Sequence, residues 1–413
     1  MTRAFETRAE GAQHGVGNLP RVCTRRPRAS ECSVRLSAMP RPLIRPRPGD
    51  VDPRLYQAAE PGYTANFSRD SLTYALLAED VRALRAQIEF SARHQGRRRD
   101  PETGEEPGKI HHELPGVQMR GLWTTYNACD TTALFVTGLD YLAHHGDRGV
   151  ARRYRSHLDR ALEYLHEHID DDVFYEDTRQ SGAERFALKV TYWKDSELNV
   201  GGAKREPTYP VAYALPHFQC KAAFQAAARL TRSRELRARA DAMRRRGFEM
   251  FWRGDHLAVA ILGDGTVVDP PSSDSLHALL FLLREEISAD DAEAVVEYCE
   301  QLATPFGYLP GLAEAAGGDE YHTRWVWVHE QALLHAAARR HGLERAEQIA
   351  ERITPSLTQG FPELIDPVNG DPGGNPTQLW SIGAHVYFER VRVAKALARL
   401  VDSLDESRDE VAF

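Results

Sequence analysis

TTALFVTGLDYLAHHGDRGVARRYRSHLDRALEYLHEH, residues 131–168, holds two helical patterns on either side of a break at Gly146-Asp147-Arg148-Gly149. Leu134, Val136, Leu139 and Leu142 before the break, and Leu158, Leu162 and Leu165 after it, recur closely enough to share a helix face. Gly146 stands where a left-handed helix end is expected, as does Gly342 later in the chain. The first helix of the pair is apolar and the second is heavily charged. Such a pair reads as an inner helix covered by an outer one.

The same unit recurs along the chain. Residues 71–77 pair with 81–94, 211–230 with 233–251, 276–286 with 290–302, and 326–341 with 343–353, while 377–404 forms one last long helix. Five pairs and a single helix supply eleven of the twelve helices of an all-α (α/α)6 toroid, with 52–59 the candidate for the twelfth. A helical-repeat solenoid would produce the same pairs, so periodicity alone leaves ring closure open. One domain is expected over 51–405, followed by a short acidic tail at 406–413. Residues 1–50 are rich in Arg and Pro and lack apolar periodicity, so a disordered tail, or an over-extended start ahead of Met39, is expected there.

Composition narrows the function classes. The chain has 413 residues, a formal net charge of −8 and 42% hydrophobic residues, as a soluble globular protein would. The negative charge argues against a nucleic-acid partner. No apolar run approaches the roughly 18 residues of a membrane span, and residues 1–50 contain no secretory core. The five cysteines at 23, 32, 129, 220 and 299 are odd in number and lack metal-ligand spacing. Reduced thiols in a cytoplasmic protein, with no metal and no cofactor, are expected.

Two loops carry the chemistry. Phe361-Pro362-Glu363-Leu364-Ile365-Asp366-Pro367, closing at Gln378-Leu379-Trp380-Ser381, sets a carboxylate in a Pro- and Gly-rich loop before a Trp that opens a helix. Tyr192-Trp193-Lys194-Asp195-Ser196 supplies a second acid beside a second Trp. Glycoside hydrolysis needs such a pair, one acid to protonate the leaving oxygen and one carboxylate to activate water or attack the anomeric carbon. Each also has a plain alternative: Asp195 as a capping residue, Glu363 as a loop carboxylate bonding backbone N–H groups. Asp366, Asn369, Asp371 and Asn375 lack EF-hand spacing, so loop chemistry is preferred to calcium. In a toroid, residues just before the inner helices would converge on one mouth; a solenoid would spread them along a groove.

Five motifs in order carry a family resemblance: Asn66-Phe67-Ser68-Arg69-Asp70-Ser71-Leu72, Pro107-Gly108-Lys109-Ile110-His111-His112-Glu113, Tyr126-Asn127-Ala128-Cys129-Asp130-Thr131-Thr132, Trp193-Lys194-Asp195-Ser196, and Pro362-Glu363 with Gln378-Leu379-Trp380-Ser381. Over about residues 60–400 the chain resembles the amylo-α-1,6-glucosidase domain of glycogen debranching enzymes. More broadly it is similar to the inverting glucoamylase, trehalase and processing α-glucosidase group. Val326-Trp327-Val328-His329-Glu330 and Glu197-Leu198-Asn199-Val200-Gly201-Gly202 depart from the family pattern, which bears on substrate identity.

The resemblance implies an exo-acting, inverting α-glucosidase acting on an α-glucan branch or a small α-glucoside. It makes Asp195 the general acid and Glu363 the general base. It implies sugar contacts from Arg69, Asp70, Glu113, Asp130, Trp193, Lys194, Trp327, Gln378 and Trp380. An acid working at neutral pH needs a raised pKa; the Lys194 ammonium would oppose that, so it is expected to point away from Asp195. Adjacent His111 and His112 point in different directions and suit a metal poorly. The competing enzyme is a sugar epimerase on the same toroid, using histidines among His217, His277, His329 and His385. A non-catalytic sugar-binding protein is the third reading.

Overall fold

Residues 54–196, 198–200, 203–312 and 321–409 are described in the computed structural model. The expected tail at 1–50 lies outside them. Among the described residues the chain forms twelve α-helices: α1 Ser68–Leu77, α2 Val81–Arg93, α3 Thr131–His144, α4 Val150–Arg153, α5 Arg155–Glu167, α6 Ala214–Thr231, α7 Arg234–Phe251, α8 Asp274–Leu279, α9 Ala289–Cys299, α10 Val328–His341, α11 Ala346–Ile353 and α12 Leu379–Asp409. Local chemistry starts and stops several of them. Asp80 caps α2 by accepting from the amides of Arg82 and Ala83 at 3.1 and 3.0 Å. Ser233 caps α7 through the amide of Leu236 at 3.2 Å. Gly146 and Gly342 take positive φ values of 95° and 73° just past α3 and α10, which glycine adopts without steric cost.

Helices α1, α3, α6, α8, α10 and α12 pack side by side in that order, and α12 packs back on α1. The ring closes. A Cβ on Gly383 of α12 would lie 3.1 Å from Tyr74 Cα of α1, so at the closing seam the two backbones approach closely, with no room to spare for a side chain. Behind the inner helices lie α2, α4 with α5, α7, α9 and α11, each packed on its own inner partner. The architecture is an (α/α)6 toroid, and the solenoid reading is set aside by the α12–α1 seam. No helix among the described residues is long and apolar enough to cross a membrane. Cys129, Cys220 and Cys299 are buried free thiols.

The expected twelfth helix at 52–59 is a correction. The described part is turn and strand, with Ala59–Glu60 paired antiparallel to Thr377–Gln378. Glu60 precedes Pro61, and a residue before proline is pushed towards extended backbone. Similar short strands trim other helices. Ala212–Tyr213 pairs with Ala260–Ile261 ahead of α6, and Thr377–Gln378 defers the start of α12 to Leu379. The second helix of the opening stretch is broken at Tyr154 into α4 and α5, and α8 ends at Leu279 rather than near 286. At the C-terminal end α12 runs on to Asp409, into the segment expected as a tail.

Candidate active site

Two-residue strands at the N-termini of the inner helices set the positions of the chemical groups. Phe67 pairs with Glu113, which brings Glu113 beside Arg69 and Asp70 on the first turn of α1. Trp327 pairs with Leu364, which brings the start of α10 beside Glu363. Gln378 pairs with Ala59, which fixes the start of α12 and Trp380. Behind these strands the ammonium of Lys109 is buried between Glu106 and Glu176, at 3.1 and 3.5 Å, and anchors the loop that carries Glu113.

One cavity of about 300 Å³ collects Arg69, Asp70, Glu113, Trp193, Asp195, Trp327, Glu363, Gln378 and Trp380. Arg69, Trp193 and Trp380 also border a second cavity of about 360 Å³ along the ring axis. They therefore form the floor of the first. Two expected sugar contacts sit elsewhere. Asp130 lies behind the floor, where its carboxylate takes Arg69 Nε and Nη2 at 2.8 and 3.0 Å. Lys194 does not line the cavity: its ammonium lies 2.8 Å from Asp274 and donates to Ser272 Oγ and the Pro310 carbonyl. Asp274 also accepts from the Tyr192 hydroxyl and from Trp193 Nε1, so it draws Lys194 away while holding Trp193 upright.

The two acids differ in environment. Burial raises the pKa of Asp195; Arg69, 3.6 Å away, and His322 pull it down, while Asp130 adds to the rise. A raised pKa favours the protonated form that a general acid needs. Glu363 instead sits among donors. The Tyr321 hydroxyl donates to Oε1, and the Asn375 amide N–H and side-chain Nδ2 both donate to Oε2 at 2.9 Å. A carboxylate has about four acceptor positions. Among the described residues three take protein donors, which leaves one acceptor position on Oε1.

The loop is shaped for this carboxylate. Gly374 has φ +66°, and a Cβ there would lie 2.6 Å from Glu363 Oε2. The alternative of Glu363 as a loop-bonding group is true in part, through Asn375, and coexists with its place on the cavity. Asp366 and Asn369 turn their side-chain oxygens on neighbouring backbone amides of the same loop. Among the positions that shape the surroundings of Glu363, the motifs single out neither Tyr321 nor Gly374, and Asn375 enters the sequence reading only as loop chemistry.

Other groups complete the lining. Burial raises Glu113 to a pKa of about 7, with Asp195 adding to the rise and the Thr124 hydroxyl, which donates to its Oε1, opposing it. Asp70 is raised well above the carboxylate range, mainly by burial, and Gln378 Nε2 donates to it at 3.2 Å. His112 is driven well below its usual range by burial, with Arg69 and His111 adding to the fall, and is neutral. Trp380 stacks on His329 with ring centres 3.9 Å apart, and Trp327 stacks on His322 at 4.8 Å.

The histidines of the epimerase reading do not gather on the cavity that holds the acids. His217 lies between α6 and α7, with Nε2 on the Met243 carbonyl at 2.9 Å and Nδ1 accepting from the Phe174 amide at 3.2 Å. His385 packs against Phe361. His277 and His329 border the axial cavity under the floor.

No protein-family model matches the chain, and no curated protein matches it. Solved structures do. The GH63 mannosylglycerate hydrolase from Thermus thermophilus, in complex with Tris, has a TM-score of 0.61 at 13% identity over 82% of this chain and 97% of that one. The same hydrolase in complex with glucose has a TM-score of 0.60 at 14% identity over 81% and 96%. A rhamnosidase from Klebsiella oxytoca with rhamnose bound has a TM-score of 0.53 at 14% identity, over 82% of this chain and 60% of its own. These structures share its fold. At such identities the likeness shows the toroid alone.

Proposed function

We propose that this protein is an inverting, exo-acting glycoside hydrolase that removes a terminal sugar from a small α-glycoside. The observation that carries the reading is one cavity with Asp195, whose pKa is raised, and Glu363, whose single open acceptor position suits a water. Asp195 gives its proton to the glycosidic oxygen as the bond to the anomeric carbon breaks. The water on Glu363 attacks the opposite face of the ring and passes its proton to Oε1. An inverting pair stands about 6.5–9.5 Å apart to leave room for that water. The floor of Arg69, Trp193 and Trp380 suits a terminal sugar, with Asp70, Glu113 and Gln378 placed for its hydroxyls. A cavity of about 300 Å³ is at the small end for ligand sites, which favours a short glycoside over a length of glucan.

The test is a panel of α-glucosides and α-mannosides, including α-1,6-linked glucose disaccharides and glycosylglycerates, followed by NMR. The expected first product is the free sugar as its β-anomer. First release of the α-anomer would make Glu363 a nucleophile, and an epimer without hydrolysis would favour the isomerase reading. Asp195→Asn and Glu363→Gln each keep shape and remove proton chemistry, so each is expected to lower kcat by about 10²–10⁴-fold with thermal stability little changed.

A further inference from the structure

The outer wall of the catalytic cavity is unlike its floor. Seven large apolar side chains stand exposed among the described residues, and three of them line this cavity: Tyr63 at 42%, Val117 at 53% and Met119 at 39% exposure. Single exposed apolar residues need no explanation, but a contiguous group at a cavity mouth marks an interaction site.

Val117 and Met119 reach the cavity through a hairpin in which Gln118–Met119 pairs with Leu122–Trp123. Arg120 and Gly121 make its turn at φ 54° and 82°, as a tight two-residue hairpin requires. Side chains alternate along a strand, so Val117 and Met119 share one face, and Trp123, directly across from Gln118, shares the other. The Val117 amide donates to Thr124 Oγ1 at 2.9 Å, and the Thr124 hydroxyl donates to Glu113. The hairpin is thus tied to the catalytic lining.

We propose that Val117 and Met119, with Tyr63, form the subsite for the aglycone, and that this subsite takes a second pyranose ring. A pyranose offers a face of C–H groups to apolar and aromatic side chains while its hydroxyls stay in water at the rim. A small charged acid such as glycerate has no such face. This inference rests on the glycosidase reading, and the experiment separates the two. Initial rates are measured on α-1,6-linked disaccharides, on glycosylglycerates, and on α-glucosyl and α-mannosyl fluoride, whose leaving group needs no subsite. The wild type is expected to prefer the disaccharide to the glycerate. In a V117S/M119S variant, the ratio of kcat/KM for the disaccharide to kcat/KM for the fluoride should fall roughly tenfold. Trp123→Ala, on the far face, should leave that ratio alone. An unchanged ratio in the double variant, a preference for the glycerate, or a variant that alters only the sedimentation of the protein would overturn the proposal. Failure to hydrolyse either fluoride would sink the glycosidase reading, and this one with it.

Discussion

Glu113 shows how far the fold can move a side chain from its ordinary chemistry. Its carboxyl rises from 4.5 to about 7, chiefly by burial. Between those values the folded protein holds a proton that the unfolded chain has released. Stability therefore falls as pH rises through that window, by about 1.4 kcal/mol per unit of pKa difference at most. The contribution is fully present below the unfolded value and lost above the folded one. Glu113→Gln removes the titration, so the melting temperature of the variant should gain on wild type between pH 5 and pH 8; parallel curves would contradict the raised pKa. Asp195 and Glu363 could be singled out in the sequence, Asp195 two residues after Trp193 and Glu363 in the Pro- and Gly-rich loop that closes at Trp380. Tyr321 could not, because a phenol recruited as a donor leaves no periodic or compositional trace, and Asn375 stands in the sequence only as loop chemistry, with nothing to tie it to Glu363.

The loop from 361 to 378 is the element on which the proposed base depends. Asparagine and aspartate side chains fold it locally, and Gly374 lets it close over Glu363 without a clash. Gly374→Ala forces a side chain into left-handed backbone, at a cost of about 1–2 kcal/mol, and pushes on Glu363 Oε2. The expected outcome is a modest drop in melting temperature with at least a tenfold loss of kcat, since a small displacement of a reacting group is costly. Full activity in that variant would show that the loop tolerates the displacement. Helices were legible wherever apolar spacing ran for several turns, and their ends were not wherever a two-residue strand took over. Such strands are too short to alternate visibly, and their partners lie up to hundreds of residues away, as Ala59 and Gln378 do.

For the molecule as a whole, the number of inner helices could be counted in the sequence, but their closure could not. Periodicity reports which face of a helix is buried and is silent on which helix buries it. The seam between α1 and α12 is where that question is decided, and Gly383 packs closely against Tyr74 there. Gly383→Val adds volume against the backbone of Tyr74, and overpacking of this kind costs about 1–3 kcal/mol. Its melting temperature should fall measurably, while Gly121→Ala, on the open tip of a hairpin, has nothing within 4 Å to meet and is strained only by its own backbone. An unaffected Gly383→Val protein would mean the seam is looser than its geometry implies.

The seam also dictates an order of events during synthesis. The first inner helix emerges from the ribosome about three hundred residues before the one it must pack against, and the strand at Ala59–Glu60 waits as long for Thr377–Gln378. Contacts of such long sequence separation are slow to form. Until α12 has emerged, the nascent chain is an open arc with apolar flanks on α1 and α10, a state prone to aggregation. Trp380 and Gln378 belong to that late segment, so the cavity they line is assembled only after nearly all of these residues have been made. A chain truncated ahead of residue 377 would then be an arc without its closing seam, its cavity lacking Gln378 and Trp380.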